Sequence, residues 1–381
     1  MTIKSSGSPL KFSDIANEFG TPTDNKLGNY RVNQEVGDAD FRLDEGMPIG
    51  ISSISFGDFY GKRLNLVVHY SGDENSPSTA RSRYTNDIGV TVIGGFRSKP
   101  SSSVGTRVII HVSANIGSSS ASRTTTALNT GTWKAGTKLD IEIGSEGFVS
   151  GAGGKGGRGG NDGESGEGDK KKQRDATGQP GQDGSSALGI SYYVENINVQ
   201  TGGKIYGGGG GGGGSGGARN ESENVAAGAG GGGGAGIPAG EGGLIGEDGG
   251  ADSVSLAGGD GGATTGGAGG RGGYELDGEK KGAKAGGGGG GGSFGSVGLG
   301  GLRGGAPGNG DARDDAAEDG GNGSVSKGGN GGGGDAEKQE QAEGPGGAGG
   351  NNGYAIVITS GILSPTKTGS TGQIKGGTLD V

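Results

Sequence analysis

The side chains that most often perform catalysis or bind metals are scarce in this chain. It has no cysteine, which excludes a disulfide framework and a thiolate zinc site, and only two histidines. His69 and His111 lie on strand-like segments with no motif around them, so we interpret both as packed or surface side chains rather than as a base or a ligand. No nucleophilic side chain and general base are spaced in the sequence as a known catalytic motif would require. The sequence therefore predicts a protein that is not an enzyme and that needs no cofactor.

Acidic residues are bunched between residues 309 and 319, which raises the question of a calcium site. An EF-hand loop beginning at Asp311 would need glycine at its sixth position, where the chain has Ala316. Matches to Gly-x-Gly-x-x-Gly follow from the abundance of glycine, and the chain contains no Gly-Lys-Ser/Thr phosphate loop. We predict no metal site and leave weak cation binding in this acidic segment open.

Charged side chains provide the remaining candidate chemistry, and they cluster in segments that interrupt a glycine-rich region. These segments are 161–175, 219–223, 274–284, 309–319 and 335–343. Exposed charges on loops suit an ionic or saccharide-phosphate target and would make binding salt-sensitive. The alternative is that they only solvate the turns. The residues predicted to contact a receptor are Lys170, Lys171, Lys172, Arg174, Arg219, Glu221, Tyr274, Glu275, Lys280, Lys281, Arg313, Asp314, Asp315, Lys338 and Glu340.

The glycine runs between these segments have a period of three. Glycine makes up 104 of the 381 residues, and Gly-Gly-X triplets recur at 153–158, 266–271 and 346–351. Three residues per turn is the repeat of the left-handed polyproline II helix, in which bare glycine edges would let neighbouring chains bond through their backbones. A disordered linker is the alternative, since glycine loses the most entropy on ordering. The strand-like segment 354–359 needs a folded partner and favours order.

Breaks between the glycine runs alternate in character. Neutral or apolar breaks at 199–203, 237–245, 294–299 and 324–327 fall between successive charged segments. If each break reverses the chain, the charged segments lie at one end of a bundle and the apolar turns at the other. The apolar residues expected to pack against the N-terminal domain are Ile237, Leu244, Ile245, Phe294, Val297 and Val325.

The first 150 residues differ in character, because seven of the eight phenylalanines and the only tryptophan lie there. Leu64, Leu66, Val68 and Tyr70 share one face, as in a half-buried antiparallel strand. The elements predicted are a short amphipathic helix at 12–19, a second short element at 54–61 and strands at 63–70, 88–96, 106–116 and 138–143.

A pair of similar pieces connects the two regions. Residues 138–143 running into 148–151 resemble residues 195–199 running into 204–207, and each pair is predicted to be a strand that delivers the chain into a glycine run.

These patterns predict a mainly β protein that also contains polyglycine II. The predicted parts are an N-terminal antiparallel β domain at 1–150 closed by strand 354–359, a bundle of packed left-handed polyglycine II helices at 151–353 and a C-terminal tail at 360–381. The net charge of −9 disfavours nucleic acids and anionic membranes as partners. Because no apolar run approaches about 20 residues, no membrane insertion is expected.

Two patterns resemble phage proteins. Residues 11–20 together with 54–61 are similar to a motif near the start of tailed-phage structural proteins. Residues 140–359 resemble the receptor-recognition adhesins at the tips of T-even-type long tail fibres. The resemblance implies a virion tail protein with an attachment domain, whose partners are other phage tail or fibre proteins and a host surface protein or polysaccharide. The alternative is a structural part of a fibre, baseplate or collar, with the glycine bundle as a rigid spacer.

Overall fold

The computed structural model describes most of the chain with gaps. The described residues are 7–19, 26–27, 41–43, 53–62, 64–74, 78–79, 107–119, 122–133, 135–161, 164–165, 172–173, 176–219, 225–247, 256–272, 274–277, 281–285, 287–294, 298–300, 320–324, 327–331, 335–336 and 345–381.

Helical structure is confined to short elements within these residues. The predicted helix is confirmed as Phe12–Phe19, and the second predicted element contains the 3₁₀ turn Phe56–Phe59. Ser55 occupies the N-cap position of that turn, and the Asp58 carboxylate accepts hydrogen bonds from its backbone N–H and its hydroxyl (2.6 and 2.9 Å). Ile15 and Phe59 are fully buried and join the main core.

Three parallel sheets carry most of the strands, and the chain visits them repeatedly in the same order. One sheet contains Leu64–Tyr70, Arg107–Val112, Lys138–Ile143, Asn196–Val199 and Thr366–Gly369. The second contains Asn115–Ile116, Phe148–Ser150, Lys204–Tyr206 and Ile374–Lys375. The third contains Ser78–Thr79, Thr126–Asn129, Ser186–Ile190, Ile356–Ile358 and Thr378–Asp380. This arrangement is a three-faced parallel β-solenoid, and one circuit of the three faces is called a coil below.

The prediction of antiparallel strands in this region is wrong. Leu64–Tyr70 pairs in parallel with Arg107–Val112, which pairs in parallel with Lys138–Ile143. Only the edge strand Phe41–Leu43 pairs antiparallel with a solenoid strand among the described residues. The period-two pattern misled the interpretation because a solenoid strand also has one face in the core and one face outside. The coil returns the chain to its starting side without reversing the strand direction.

The core of the solenoid consists of ladders of apolar side chains stacked from coil to coil. Val68, Ile110, Ile141 and Ile197 are aligned in register on neighbouring strands, and each is at most 1% exposed. Burying each side chain of this size contributes about 1.5–3 kcal/mol. On the outer face of the same sheet, Arg107 forms an ion pair with the mostly buried Asp140.

The glycine-rich segments are insertions in two adjacent coils. Phe148–Ser150 is followed by glycine-rich residues that return to the solenoid at Ser186–Ile190, and Lys204–Tyr206 is followed by a longer segment that returns at Ile356–Ile358. The two departing strands pair with each other, and so do the two returning strands. The predicted delivery of the chain by two similar strand pairs is therefore confirmed. Residues 366–380 form the last coil.

Candidate functional site

The glycine runs bind one another through their main chains at intervals of three residues. Between the runs 151–161 and 207–217, the N–H groups of Gly154 and Gly157 donate to the carbonyls of Gly209 and Gly212, each at 2.8 Å. Neither run has the pairing pattern of a β-strand. The contacts therefore form a lattice of separate rods rather than a sheet.

Successive runs point in opposite directions. Run 151–161 leaves the solenoid, and run 176–185 returns along it, with Ser185 N–H donating to the Ala152 carbonyl (2.9 Å) and Gln179 N–H donating to the Arg158 carbonyl (2.8 Å). The lattice thus has a near end at the solenoid and a far end away from it. The described strands within the charged segments, at 164–165, 172–173, 274–277, 281–284 and 335–336, lie at the far end.

Three central runs, at 207–217, 227–236 and 287–293, are buried along their whole length. The first bonds to neighbours on every side, namely the runs 151–161, 176–185, 227–236, 287–293, 327–331 and 345–353. Outer runs surround the central ones, in the order 151–161, 240–247, 256–262, 266–272, 298–300, 320–324, 327–331, 345–353 and 176–185.

Glycine content separates the central runs from the outer runs. Run 207–217 is glycine at every position except the buried Ser215, whereas the outer runs carry larger side chains at exposed positions, as at Lys155, Gln179 and Asn330. A Cβ added at Gly212 would overlap the Gly289 carbonyl. The side chains that the central runs do carry are small, as at the fully buried Ala227, Ala229 and Ser215. Long stretches of glycine broken only by alanine or serine therefore mark the centre, a signal that is present in the sequence.

Apolar residues at the near end meet the solenoid at two described positions. The Ile237 carbonyl accepts a hydrogen bond from the Ser118 N–H (2.8 Å), and the Phe294 carbonyl accepts one from the Lys375 ammonium (3.2 Å).

The structure places Leu244 and Ile245 away from the solenoid. They lie on the outer run 240–247, and they are 61% and 37% exposed. The segment 237–245 was interpreted as one turn, whereas the chain reverses before residue 240 and then enters a further outer run. Val297 and Val325 lie outside the described residues.

The far end carries short antiparallel strands that pack together. Ala218–Arg219 pairs with Val225–Ala226, and Lys281–Lys284 pairs on its two sides with Tyr274–Asp277 and Asp335–Ala336. These strands contact one another around the fully buried Ala218, Ala226 and Ala285. We call these five strands the tip. The register places Lys281 opposite Asp277 and Lys284 opposite Asp335.

Five of the predicted receptor contacts lie on described strands of the far end. Arg219, Tyr274, Glu275 and Lys281 lie on the tip, and Lys172 lies on a separate hairpin in which Lys172–Gln173 pairs with Glu164–Ser165. The tip thus brings together residues more than fifty positions apart in the sequence. The other predicted contacts lie outside the described residues, namely Lys170, Lys171, Arg174, Glu221, Lys280, Arg313, Asp314, Asp315, Lys338 and Glu340.

Comparison with known protein families gives this arrangement a counterpart. The family model of the phage tail fibre adhesin Gp38 matches residues 95–284, which include the middle coils of the solenoid, two of the central runs and part of the tip. This region belongs to the phage tail fibre adhesin family. The protein is therefore an adhesin of the virion tail, as the sequence resemblance predicted.

A solved structure is also similar to the adhesin over its whole length. It is a chain of the gp37-gp38 adhesin tip complex of the bacteriophage S16 long tail fibre, with 15% sequence identity, a TM-score of 0.33 and coverage of 99% of this chain and 100% of that chain. Comparison with curated protein sequences gave no match.

The flanks of the adhesin carry ion pairs that link outer runs. The Lys155 ammonium lies 2.9 Å from the Glu241 carboxylate, and the Arg158 guanidinium lies 3.3 Å from the Glu247 carboxylate. Because these pairs are solvent-exposed, each contributes at most about 1 kcal/mol.

His69 and His111 lie side by side on neighbouring solenoid strands, with ring centroids 5.3 Å apart. Among the described residues, no group of three histidine, aspartate or glutamate side chains could hold a metal ion. The acidic segment 309–319 lies outside these residues. No described helix has the length and apolar character needed to cross a membrane.

Proposed function

We propose that this adhesin is a non-enzymatic attachment protein whose glycine lattice holds a receptor-binding tip away from the rest of the tail fibre. The observation that carries the proposal is the direction of the runs, because runs that leave the solenoid, such as 151–161 and 207–217, lead to the end where the described tip strands lie. The solenoid is the part that attaches to another tail or fibre protein, and the receptor is a host surface protein or polysaccharide.

We infer that the glycine runs are left-handed polyglycine II helices. Hydrogen bonds recur every third residue, and a central run binds neighbours all around its axis, whereas a strand binds neighbours on two sides only. Ordering a residue costs about 1–2 kcal/mol. One net hydrogen bond returns about 0.5–1.5 kcal/mol. Isolated runs would therefore be unstable, and the lattice depends on many runs packing together.

We assign the attachment role to the solenoid, whose coils include residues 186–206 and 356–380 besides the strands of the first 150 residues, and the bundle to the two insertions 151–185 and 207–353. The predicted bundle at 151–353 and terminal segment at 360–381 are revised accordingly, because residues 186–206 and 366–380 form solenoid coils. Both ends of each insertion are fixed in paired strands of adjacent coils. A rod anchored in this way transmits the position of the solenoid to the tip without a flexible hinge.

Receptor binding is assigned to the tip and to the charged segments around it. Arg219 and Lys281 supply positive charge on the tip strands, and Glu275 supplies negative charge. Charged contacts at an exposed surface accelerate encounter with a charged target and weaken as salt screens them. A receptor that carries phosphate or acidic sugars suits the basic members of this set.

The proposal is tested by replacing the five charged segments with short neutral turns. We expect phage assembly to be normal and the adsorption rate constant to fall about tenfold or more, because electrostatic steering is lost. A matched control replaces Lys155, Arg158, Glu241 and Glu247 with glutamine, which removes flank charges and leaves the tip intact. Normal adsorption by particles that carry the segment-replaced protein would reject receptor binding at the tip and favour a purely structural spacer.

A further inference from the structure

Asparagine and aspartate side chains occupy a particular place on the outer runs. Each accepts a hydrogen bond from a backbone N–H of the adjacent outer run. The five donor and acceptor pairs are Glu247 N–H to Asn161 (2.9 Å), Asn351 N–H to Asp183 (2.6 Å), Gly242 N–H to Asp260 (2.8 Å), Gly300 N–H to Asn322 (2.8 Å) and Gly349 N–H to Asn330 (3.2 Å).

Inside the lattice the corresponding N–H groups donate to carbonyls of further runs. Gly212, on a central run, donates to the Gly232 carbonyl at 2.7 Å. Among the described residues no further run lies beyond an outer run, so some of its N–H groups face no main-chain acceptor there. The asparagine and aspartate oxygens take the place of that missing carbonyl, as these side chains do for exposed backbone donors elsewhere.

Asn352 demonstrates the same replacement within the lattice. Gly213 donates to the Gly329 carbonyl of run 327–331. One step nearer the solenoid, Gly210 donates to the side-chain oxygen of Asn352 (2.6 Å), and Asn352 is only 4% exposed. A side-chain oxygen therefore serves as a lattice acceptor for a buried glycine N–H.

We propose that these five side chains are caps. They accept hydrogen bonds from N–H groups of the outer runs, which form the flank of the lattice, and so prevent this flank from joining the glycine lattice of a second copy of this chain. The partner that the caps exclude is a second copy of this chain, because the backbone groups exposed on an uncapped flank are those through which the runs bind one another. Unpaired backbone edges invite such self-association in β-sheets, and proteins block them with polar side chains. The proposal requires the described lattice and does not depend on receptor binding.

The test removes two adjacent caps without changing the net charge. Asn322→Ala and Asn330→Ala are combined, and the control combines Gln179→Ala and Gln182→Ala. All four side chains are exposed amides on outer runs, but the described structure gives the glutamines no backbone N–H to cap. We expect the double cap variant to form dimers or larger species at concentrations at least tenfold lower than the control, as measured by light scattering of the full chain.

Hydrogen exchange provides the second readout. The Gly300 and Gly349 amides should exchange at least tenfold faster in the cap variant. Asn322→Asp combined with Asn330→Asp keeps both oxygens and should remain a single chain. If the double alanine variant does not fold, each single variant is examined at its own glycine amide. A folded cap variant that associates no more than the control, or that leaves both amides protected, would overturn the proposal.

Discussion

Replacing Gly212 with alanine should be among the most damaging single changes that the lattice can suffer. The added Cβ would overlap the Gly289 carbonyl oxygen, so the two central runs would have to separate. That carbonyl accepts from Gly232, and the Gly289 N–H donates to Gly213, both at 2.8 Å. Leaving two buried hydrogen bonds unmade costs about 2–6 kcal/mol. The lower entropy of the unfolded alanine chain offsets about 0.4–1 kcal/mol of this.

The matched control is Gly259→Ala on an outer run. The nearest atoms to its added Cβ are the backbone N and O of Ala268, at 3.5 and 3.6 Å, which are ordinary contacts. This variant should therefore be as stable as the parent or slightly more stable. Urea unfolding monitored by amide exchange of the glycine runs gives the free energy of opening for each variant. Equal stability of the two variants would refute the claim that backbone-to-backbone packing holds the central runs.

Other consequences concern single polar groups. Ser215→Ala should destabilise the lattice by about 1–3 kcal/mol, because the fully buried Ser215 hydroxyl accepts from the Ala229 N–H at 2.7 Å; urea unfolding checks this, and an unchanged midpoint would contradict it. In the solenoid, the backbone N–H and side-chain amide of Asn115 donate to Asp73 and lower its pKa from the ordinary value of 3.8. A depressed folded-state pKa stabilises the fold above pH 3.8 and loses its effect as the pH falls through the folded value. The stability difference between the parent and Asp73→Ala should therefore shrink as the pH is lowered from 6 to below 3.8, and a difference independent of pH would contradict this reasoning.

Local patterns in the sequence were sufficient for individual elements. The amphipathic spacing of residues 12–19 predicted the helix, and the apolar alternation of residues 63–70 predicted a strand that the structure has at Leu64–Tyr70. The resemblance of 138–151 to 195–207 reflects two coils stacked in register. These features depend on neighbouring residues along the chain, which is why a single sequence contains them.

Strand direction was not accessible in the same way. A half-buried strand has the same alternation in an antiparallel sheet and in a solenoid, so Val68 and Tyr70 could indicate burial but not the partner. The positions of Leu244 and Ile245 failed for a related reason. An apolar pair at X positions of an outer run has the composition of a turn, and only the hydrogen bonds of run 240–247 distinguish the two.

The sequence alone determined that this protein would rely on backbone rather than side chains for much of its packing, because the long glycine-rich runs contain few side chains that could pack. It also predicted that charged segments and turns near the solenoid alternate, but runs 240–247 and 256–262 add a reversal between residues 219 and 274 that this pattern did not contain. Tertiary structure decided which runs became central, which asparagines became caps and which distant strands met at the tip. Those outcomes depend on contacts between runs far apart in the chain, and a glycine carries no side chain by which its sequence could specify a neighbour.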